Sequence, residues 1–246
     1  MAISTHDTAT QTEPALFYEV STSCGEAKSK DPSGEANFQN QPPSAETLQQ
    51  VARHRVLDRL GKAHRFKDLY DGPDTADRVL VIFVRHFFCG SCQEYLRSLL
   101  QVINPDFLSR LPVSTSIAVI GCGDPGLIDI YASKSGCDFP IYADPTRKLY
   151  TDLGMTTSLA LGPRPEYMRK GMVRIVMESI WQCLKQIPSG LAGKGGDSRQ
   201  IGGEFLFEAS HDTEGKTVTW CHRMKTTRDH TEIPALAQVL NPQSKH

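Results

Sequence analysis

The feature that most constrains this chain is an apolar segment followed closely by a pair of cysteines. Residues 79–84 read Val-Leu-Val-Ile-Phe-Val, which is typical of a buried strand, and Cys89 and Cys92 follow it in a Cys-x-x-Cys spacing. Apolar residues then recur at helical spacing, so the pair is predicted to lie on the first turn of a helix. The N–H groups and partial positive charge of a helix start stabilise a thiolate, which favours Cys89 as the nucleophile. Cys92 lies about one turn further on, where it can resolve a mixed disulfide at Cys89.

Half of a zinc site is the alternative interpretation of this spacing. The other five cysteines occur singly, and the adjacent Cys221 and His222 do not have the usual spacing of a second ligand pair. A dithiol after a strand in a chain of alternating strands and helices is typical of a thioredoxin-like redox motif. The sequence therefore predicts a redox-active pair, with no metal and no cofactor.

Composition gives little reason to expect nucleic acid or a membrane as a partner. Lysine and arginine number 27 against 28 aspartate and glutamate residues, and no stretch approaches the length of an apolar membrane span. The first residues, 1–14, lack the basic and apolar parts of a secretory leader, so a cytoplasmic location is expected. In that compartment the seven cysteines are expected to be mostly reduced.

Two regions are predicted from the change of composition near residue 44. Residues 1–44 are rich in polar residues and proline and are predicted to form a disordered tail, whereas residues 45–242 form the folded domain. A helix start is predicted at Ser44, and Leu48, Val51, Val56 and Leu57 are assigned to a short amphipathic helix.

The folded region alternates predicted strands and helices. A second strand at 116–120 and a third segment at 139–145 follow helices, which predicts a parallel core with the active loops at the carboxyl ends of the strands. Residues 203–208 and 217–222 flank a polar turn and are predicted to form a hairpin, and a last amphipathic helix includes Ile233 and Leu240. The glycine-rich stretch 190–196 is interpreted as a loop.

Three further residues are candidates for supporting the dithiol. Arg85 and His86 precede it, and a cation there would favour the thiolate; either side chain could instead lie at the surface. If the strand continues through both, their side chains point to opposite faces and at most one faces the site. Cys122 follows the second strand and would share the rim with Cys89, either as a second resolving thiol or, as we prefer, as a small buried residue.

The order of several motifs resembles one protein family. Residues 82–92 are similar to the thioredoxin active-site segment, with Phe88 where thioredoxin has Trp and Ser91 where it has Pro. Over about residues 47–240 the chain resembles the AhpC/TSA antioxidant-domain proteins of the peroxiredoxin-like 2 group. Besides the Cys-x-x-Cys segment, the motifs that carry this resemblance are Ile120-Gly121, Ile141-Tyr142-Ala143-Asp144-Pro145, Leu153-Gly154-Met155, Gln200-Ile201-Gly202-Gly203, His222-Arg223 and Asp229-His230.

The resemblance implies a thioredoxin-like, peroxiredoxin-like α/β fold whose central mixed sheet is flanked by helices, with Cys89 as the reactive cysteine and Cys92 as its partner. The expected function is a thiol-dependent oxidoreductase, with an antioxidant or disulfide-exchange activity, that acts on a disulfide or a peroxide. An external thiol system, thioredoxin or glutathione, would reduce it. The alternative is a redox-sensing or pathway-accessory binding protein without turnover.

Two departures from the peroxiredoxin pattern lead us to expect slow reaction with peroxide. The Pro and the Thr or Ser that lead to the peroxidatic cysteine are absent from residues 84–88, and Gly202 stands where typical peroxiredoxins have an arginine. A helical insertion is also predicted over residues 165–187, with apolar residues around much of its circumference. It is interpreted either as a buried element or as a surface for a homodimer or for substrate docking.

Overall fold

The structure, a computed structural model, describes residues 1, 40–169, 171–209 and 215–242, and only the backbone of residue 172. Apart from Met1, these residues belong to one unit that runs from Ser33 to the C-terminus. Most of the predicted disordered tail, including Cys24, lies outside the described residues, as does most of the turn of the predicted hairpin. The tail and the domain boundary at residue 44 therefore stay predictions.

The centre of the fold is one mixed sheet of seven strands in the order β2-β1-β5-β4-β3-β6-β7. Strand β3 has β4 parallel to it on one side and β6 antiparallel on the other, and β4 and β5 are also parallel. The predicted hairpin is confirmed as β6 and β7. This is the expected thioredoxin-like arrangement. The strands are β1 (Arg55–Leu57), β2 (Ala63–Arg65), β3 (Arg78–Phe83), β4 (Thr115–Gly121), β5 (Ile141–Ala143), β6 (Gly203–Ala209) and β7 (Lys216–Arg223).

Helices cover both faces of the sheet over two separate apolar layers. The layer beneath α3, α4, α5 and α8 contains Cys89 and Cys92, whereas α1, α2 and α6 pack on the opposite face. Alternation along β6 shows why, because Leu206 belongs to the first layer while Phe205 and Phe207 belong to the second. The helices are α1 (Ala45–Val51), α2 (Phe66–Tyr70), α3 (Gly90–Val102), α4 (Pro105–Ser109), α5 (Ile128–Ser135), α6 (Lys148–Asp152), α7 (Met172–Lys185) and α8 (Ile233–Leu240).

The N-terminal part of the domain corrects one prediction from the sequence. The Ser44 side chain accepts a hydrogen bond from the backbone N–H of Thr47, so the predicted helix start is confirmed. Val56 and Leu57, however, lie in β1, which pairs with β2, rather than in the helix. Their helical spacing from Val51 was misleading because Val56 is fully buried through strand pairing, a long-range contact that local periodicity does not reveal.

Helix α7 differs from the prediction in extent, because it begins at Met172 rather than near Pro165. Of the two interpretations of its apolar residues, the buried element is not the one observed, because most of the described apolar side chains lie in solvent. Among the described side chains of this helix only Ile175 joins the core, because just one narrow side of the helix faces the sheet domain. No helix in the described part of the chain is long and apolar enough to cross a membrane.

Candidate active site

Cys89 and Cys92 lie together at the start of α3, where the loop after β3 enters the helix. Cys89 is the N-cap residue, and its sulfur accepts a hydrogen bond from the backbone N–H of Cys92 at 3.3 Å. The Cys92 thiol donates to the Cys89 sulfur at a distance of 2.7 Å. Both are free thiols, and their exposed fractions are only 3% and 0%. The structure therefore places the two cysteines together at a helix start, and their roles as nucleophile and resolving thiol stay predictions.

Arg85 contributes a buried positive charge to this site. Its Nη1 lies 3.5 Å from the Cys89 sulfur, and its guanidinium also donates to the carbonyl oxygens of Ser198, Gln200 and Thr227. Among the described residues no carboxylate forms an ion pair with it. A buried cation is costly without an anionic partner, so the arrangement favours a thiolate at Cys89. The side chain of Arg85 therefore lies beside the dithiol, and not at the surface, which was the alternative.

The two sulfurs are driven in opposite directions by their surroundings. Burial opposes ionisation of Cys89, but the hydrogen bond from Cys92 and the charge of Arg85 outweigh it and hold the pKa of Cys89 well below its usual value. Burial and the neighbouring Cys89 both raise the pKa of Cys92 well above its usual value. In addition, the Arg85 backbone N–H donates to the Cys92 sulfur at 3.5 Å. The pair therefore favours a Cys89 thiolate beside a Cys92 thiol.

His86 plays a different part from Arg85. Its backbone carbonyl accepts a hydrogen bond from the N–H of Cys89 at 2.9 Å and so shapes the loop that precedes the helix. Burial lowers the pKa of the His86 ring, although the negative charge of the Cys89 thiolate opposes that shift. Strand β3 ends at Phe83, so the strand alternation assumed for these two residues does not apply to them.

Cys122 lies at the end of β4 but faces away from the dithiol. Its thiol donates to the backbone carbonyl of Arg85 at 2.9 Å, and it packs in the apolar layer opposite the one that contains Cys89. Burial raises the pKa of Cys122 to about 11. This geometry favours the structural interpretation over a second resolving thiol.

Gly202 explains why an arginine cannot occupy the later position. A Cβ atom there would lie 1.8 Å from the carbonyl oxygen of Phe83, so the backbone segments at Gly202 and Phe83 lie too close together for any side chain at residue 202. The positive charge at this site comes instead from Arg85, four residues before Cys89. The site thus has a cation, but at a position that differs from the peroxiredoxin pattern.

A buried polar cluster that is not among the predicted site residues joins β6, α3 and the segment before α8. His230 Nδ1 lies 2.6 Å from a carboxylate oxygen of Glu204, both side chains are fully buried, and the ring of Tyr95 stacks on His230 at 4.2 Å. Burial opposes the charge of Glu204, yet His230 and Thr231 hold the pKa of Glu204 below its usual value. The signal in the sequence was Glu204, an acidic residue directly before the apolar run Phe205-Leu206-Phe207 of β6.

Two elements cover the mouth of the site. The carbonyl oxygen of Gly195, in the glycine-rich loop, accepts from the N–H of Phe87 at 2.9 Å. Helix α7 packs over the start of α3, where Ile175 leaves no room for a Cβ atom at Gly90 and the side-chain amides of Gln93 and Gln182 exchange hydrogen bonds at 2.9 and 3.1 Å. A large substrate therefore requires these elements to move. The described residues contain no cluster of three or more metal-ligating side chains.

Comparisons with known proteins point to one family. A family model described as AhpC/TSA antioxidant enzyme matches residues 100–226, just over half of the chain, in a segment that begins after the dithiol. A protein of Takifugu rubripes named Peroxiredoxin-like 2C is 29% identical over 200 residues, which cover 80% of this chain and 82% of that protein. A Mus musculus protein of the same name is 27% identical over 214 residues and 86% of each chain.

Solved structures with a similar chain path have low sequence identity. A secreted Mycobacterium tuberculosis disulfide oxidoreductase is 13% identical with a TM-score of 0.43, and the alignment covers 81% of this chain and 99% of that one. A mutant of Xanthomonas campestris peroxiredoxin Q is 12% identical with a TM-score of 0.47, covering 83% and 97%.

Proposed function

Because the chain belongs to the AhpC/TSA antioxidant enzyme family, we propose that it is a thiol-dependent oxidoreductase in which Cys89 and Cys92 cycle between dithiol and disulfide. The observation that carries this proposal is the asymmetry of the two buried sulfurs. Cys89 has a lowered pKa and contacts Arg85, which forms no ion pair with any described carboxylate, whereas the pKa of Cys92 is raised. A nucleophile needs the first environment, and a resolving thiol that waits for its partner to react fits the second.

With a disulfide substrate, the Cys89 thiolate attacks one substrate sulfur. A Cys89–substrate disulfide forms, and the other half of the substrate leaves as a thiolate that takes up a proton. Cys92 then loses its proton and attacks the Cys89 sulfur, which forms the Cys89–Cys92 disulfide and releases the second half of the substrate as a thiol. The substrate gains two electrons and the protein loses two. An external dithiol, such as reduced thioredoxin, or two glutathione molecules restore the reduced pair.

With a peroxide, the Cys89 thiolate attacks an oxygen, the O–O bond breaks, and Cys89 becomes a sulfenic acid while the other oxygen leaves as water or an alcohol after protonation. Cys92 then condenses with the sulfenic acid, forms the same disulfide and releases water. The site offers Arg85 but lacks the hydroxyl side chain and proline expected before a peroxidatic cysteine. Fewer donors for the developing charge at the O–O bond favour disulfides as the faster substrates.

A homodimer through α7 is part of the proposal. Seven apolar side chains on and just after this helix are 47–79% exposed, namely Val173, Val176, Met177, Ile180, Trp181, Leu184 and Ile187. Together they expose on the order of several hundred Å², more than a monomer usually leaves in water. Subunits of a typical dimer bury about 800 Å² each, so a second copy is an occupant of suitable size.

A cytoplasmic location is proposed on the state of the cysteines. The six cysteines of the described residues are free thiols, which suits a reducing compartment.

A redox sensor is the second candidate, and the burial of the pair favours it. Sulfurs that are 3% and 0% exposed beneath α7 and the glycine-rich loop suit a switch that alters the covering elements when it oxidises. A sensor oxidises once, whereas an enzyme sustains a flux when a reductant is supplied.

The experiment that tests the proposal follows oxidation of the reduced protein by stopped flow, with a small disulfide and with hydrogen peroxide in parallel. We expect Cys92→Ser to accumulate mixed disulfides at Cys89, and Cys89→Ser to trap none. Cys137→Ser is the matched control, because Cys137 is a buried thiol outside the pair. Equal trapping by both pair variants, or a wild-type pair that resists oxidation, would refute the assignment.

A further inference from the structure

Along its first half, strand β4 has a neighbouring strand on one side only among the described residues. Strand β5 pairs with Val119–Gly121, so residues 115–118 have β3 on one side and no described strand on the other. The carbonyl of Ser114 accepts from Arg78 in β3, whereas the N–H of Val119 donates towards β5, to Pro140 at 2.9 Å. Alternate residues direct their backbone groups to opposite edges, so the N–H and C=O groups of Thr115 and Ile117 face the open edge.

A groove runs along this edge with different walls on the two faces of the sheet. One cavity of about 690 Å³ is walled by Leu108, Leu111 and Phe139, which belong to the layer beneath α3 and α4. A second cavity of about 590 Å³ shares Leu69, Ser114, Ser116 and Tyr142 with the first, on the face covered by α2. The charged side chains among the lining residues of the two cavities are Asp68, which also forms an exposed ion pair with Arg65 at 3.2 Å, and Asp74.

We propose that this groove binds an extended segment of another protein in which apolar and basic side chains alternate. The open backbone groups of Thr115 and Ile117 would pair with the segment as an added strand. Successive side chains of that strand would point to opposite faces of the sheet. Apolar ones would then meet Leu108, Leu111 and Phe139, while basic ones would meet Asp68 and Asp74.

The proposal is independent of the redox function. The groove lies at the amino end of β4, and the dithiol follows the carboxyl end of the neighbouring strand β3. The two sites are therefore separated by the length of β4, which is 7 residues at roughly 3.3 Å each. A substrate of the dithiol therefore does not have to occupy the groove. The acidic wall disfavours anionic ligands, and a purely apolar small molecule would leave the backbone edge unused.

The test measures fluorescence polarisation of a labelled hexapeptide of alternating lysine and valine with the full chain. We expect saturable binding. A peptide with the same side chains but N-methyl groups on alternate amides should bind roughly tenfold more weakly, because about two backbone hydrogen bonds are lost. Replacing lysine by glutamate in the peptide should weaken binding by a similar factor.

Protein variants check the walls of the groove. Asp68→Asn combined with Asp74→Asn should weaken binding by about two- to fivefold, as expected for exposed charge pairs. Asp106→Asn is the matched control, since Asp106 is exposed on α4 but lines neither cavity. Equal binding of the N-methylated or glutamate peptide would overturn the proposal, and so would a sedimentation result in which a second copy of the chain occupies the groove and excludes the peptide.

Discussion

Replacing Arg85 by glutamine is expected to raise the pKa of Cys89 towards the ordinary value of a cysteine thiol, because a positive charge beside the thiolate is lost. The Nη1 atom of Arg85 lies 3.5 Å from the Cys89 sulfur in a site that excludes most solvent. At an effective dielectric constant near 20, two unit charges at about 4 Å attract by about 4 kcal/mol. Loss of this attraction disfavours the thiolate form of Cys89, and water admitted by the smaller side chain offsets part of the loss.

The assay is the rate of alkylation by iodoacetamide as a function of pH, monitored beside the ultraviolet absorbance of the thiolate. In the reduced wild-type protein the rate should level off well below the usual pKa of a cysteine, because Cys89 is already ionised there. In Arg85→Gln the plateau should move to higher pH. Arg85→Lys should give an intermediate shift, since lysine keeps the charge but cannot hold all three carbonyl groups.

Arg97→Gln is the matched control. Arg97 lies on α3, the helix that begins at the dithiol, but it contacts Glu94 and the carbonyl of Lys134 instead of Cys89. The reasoning would be refuted if Arg85→Gln left the plateau unchanged, or if Arg97→Gln moved it equally.

The lowered pKa of Cys89 also makes the free energy of unfolding depend on pH. Since folding lowers the pKa of Cys89, its ionisation stabilises the reduced fold above the unfolded pKa, and that contribution declines as pH falls towards the folded pKa. Arg85→Gln should diminish this pH dependence.

Three further results are expected. Gly202→Ala should lower the free energy of unfolding in urea by about 3 kcal/mol or more, because its Cβ would meet the Phe83 carbonyl, whereas Gly193→Ala, with open space around it, should change little. Met177→Asp should abolish the dimer in sedimentation velocity, unlike Leu60→Asp at an exposed site elsewhere; a wild-type monomer would contradict the proposed interface. Hydrogen peroxide should oxidise Cys89 with a rate constant several orders of magnitude below the diffusional ceiling, and a rate constant near that ceiling would make peroxidase the primary activity.

Local patterns determined the elements that hold the dithiol. The apolar run before Cys89, the helical spacing after Cys92 and the paired segments around the last turn each depend on residues close in sequence, and β3, α3 and the hairpin all match their predictions. The helix start at Ser44 was also readable, because a capping side chain bonds to a residue only three positions away. Because these patterns depend only on residues close in sequence, they predict the elements without knowledge of the tertiary structure.

Only the tertiary structure decided how side chains from distant segments meet. Arg85 reaches Cys89 because carbonyl groups of Ser198, Gln200 and Thr227 hold its guanidinium, and those residues follow it by more than a hundred positions. Val56 lies in strand β1, paired with β2, and not in the predicted helix. Cys122 lies on the face of the sheet opposite the dithiol. Periodicity states that one side of an element is apolar, but which neighbour covers that side depends on contacts between remote segments. For that reason the sequence left open whether the apolar face of α7 is buried or exposed, and it gave no sign of the open edge of β4.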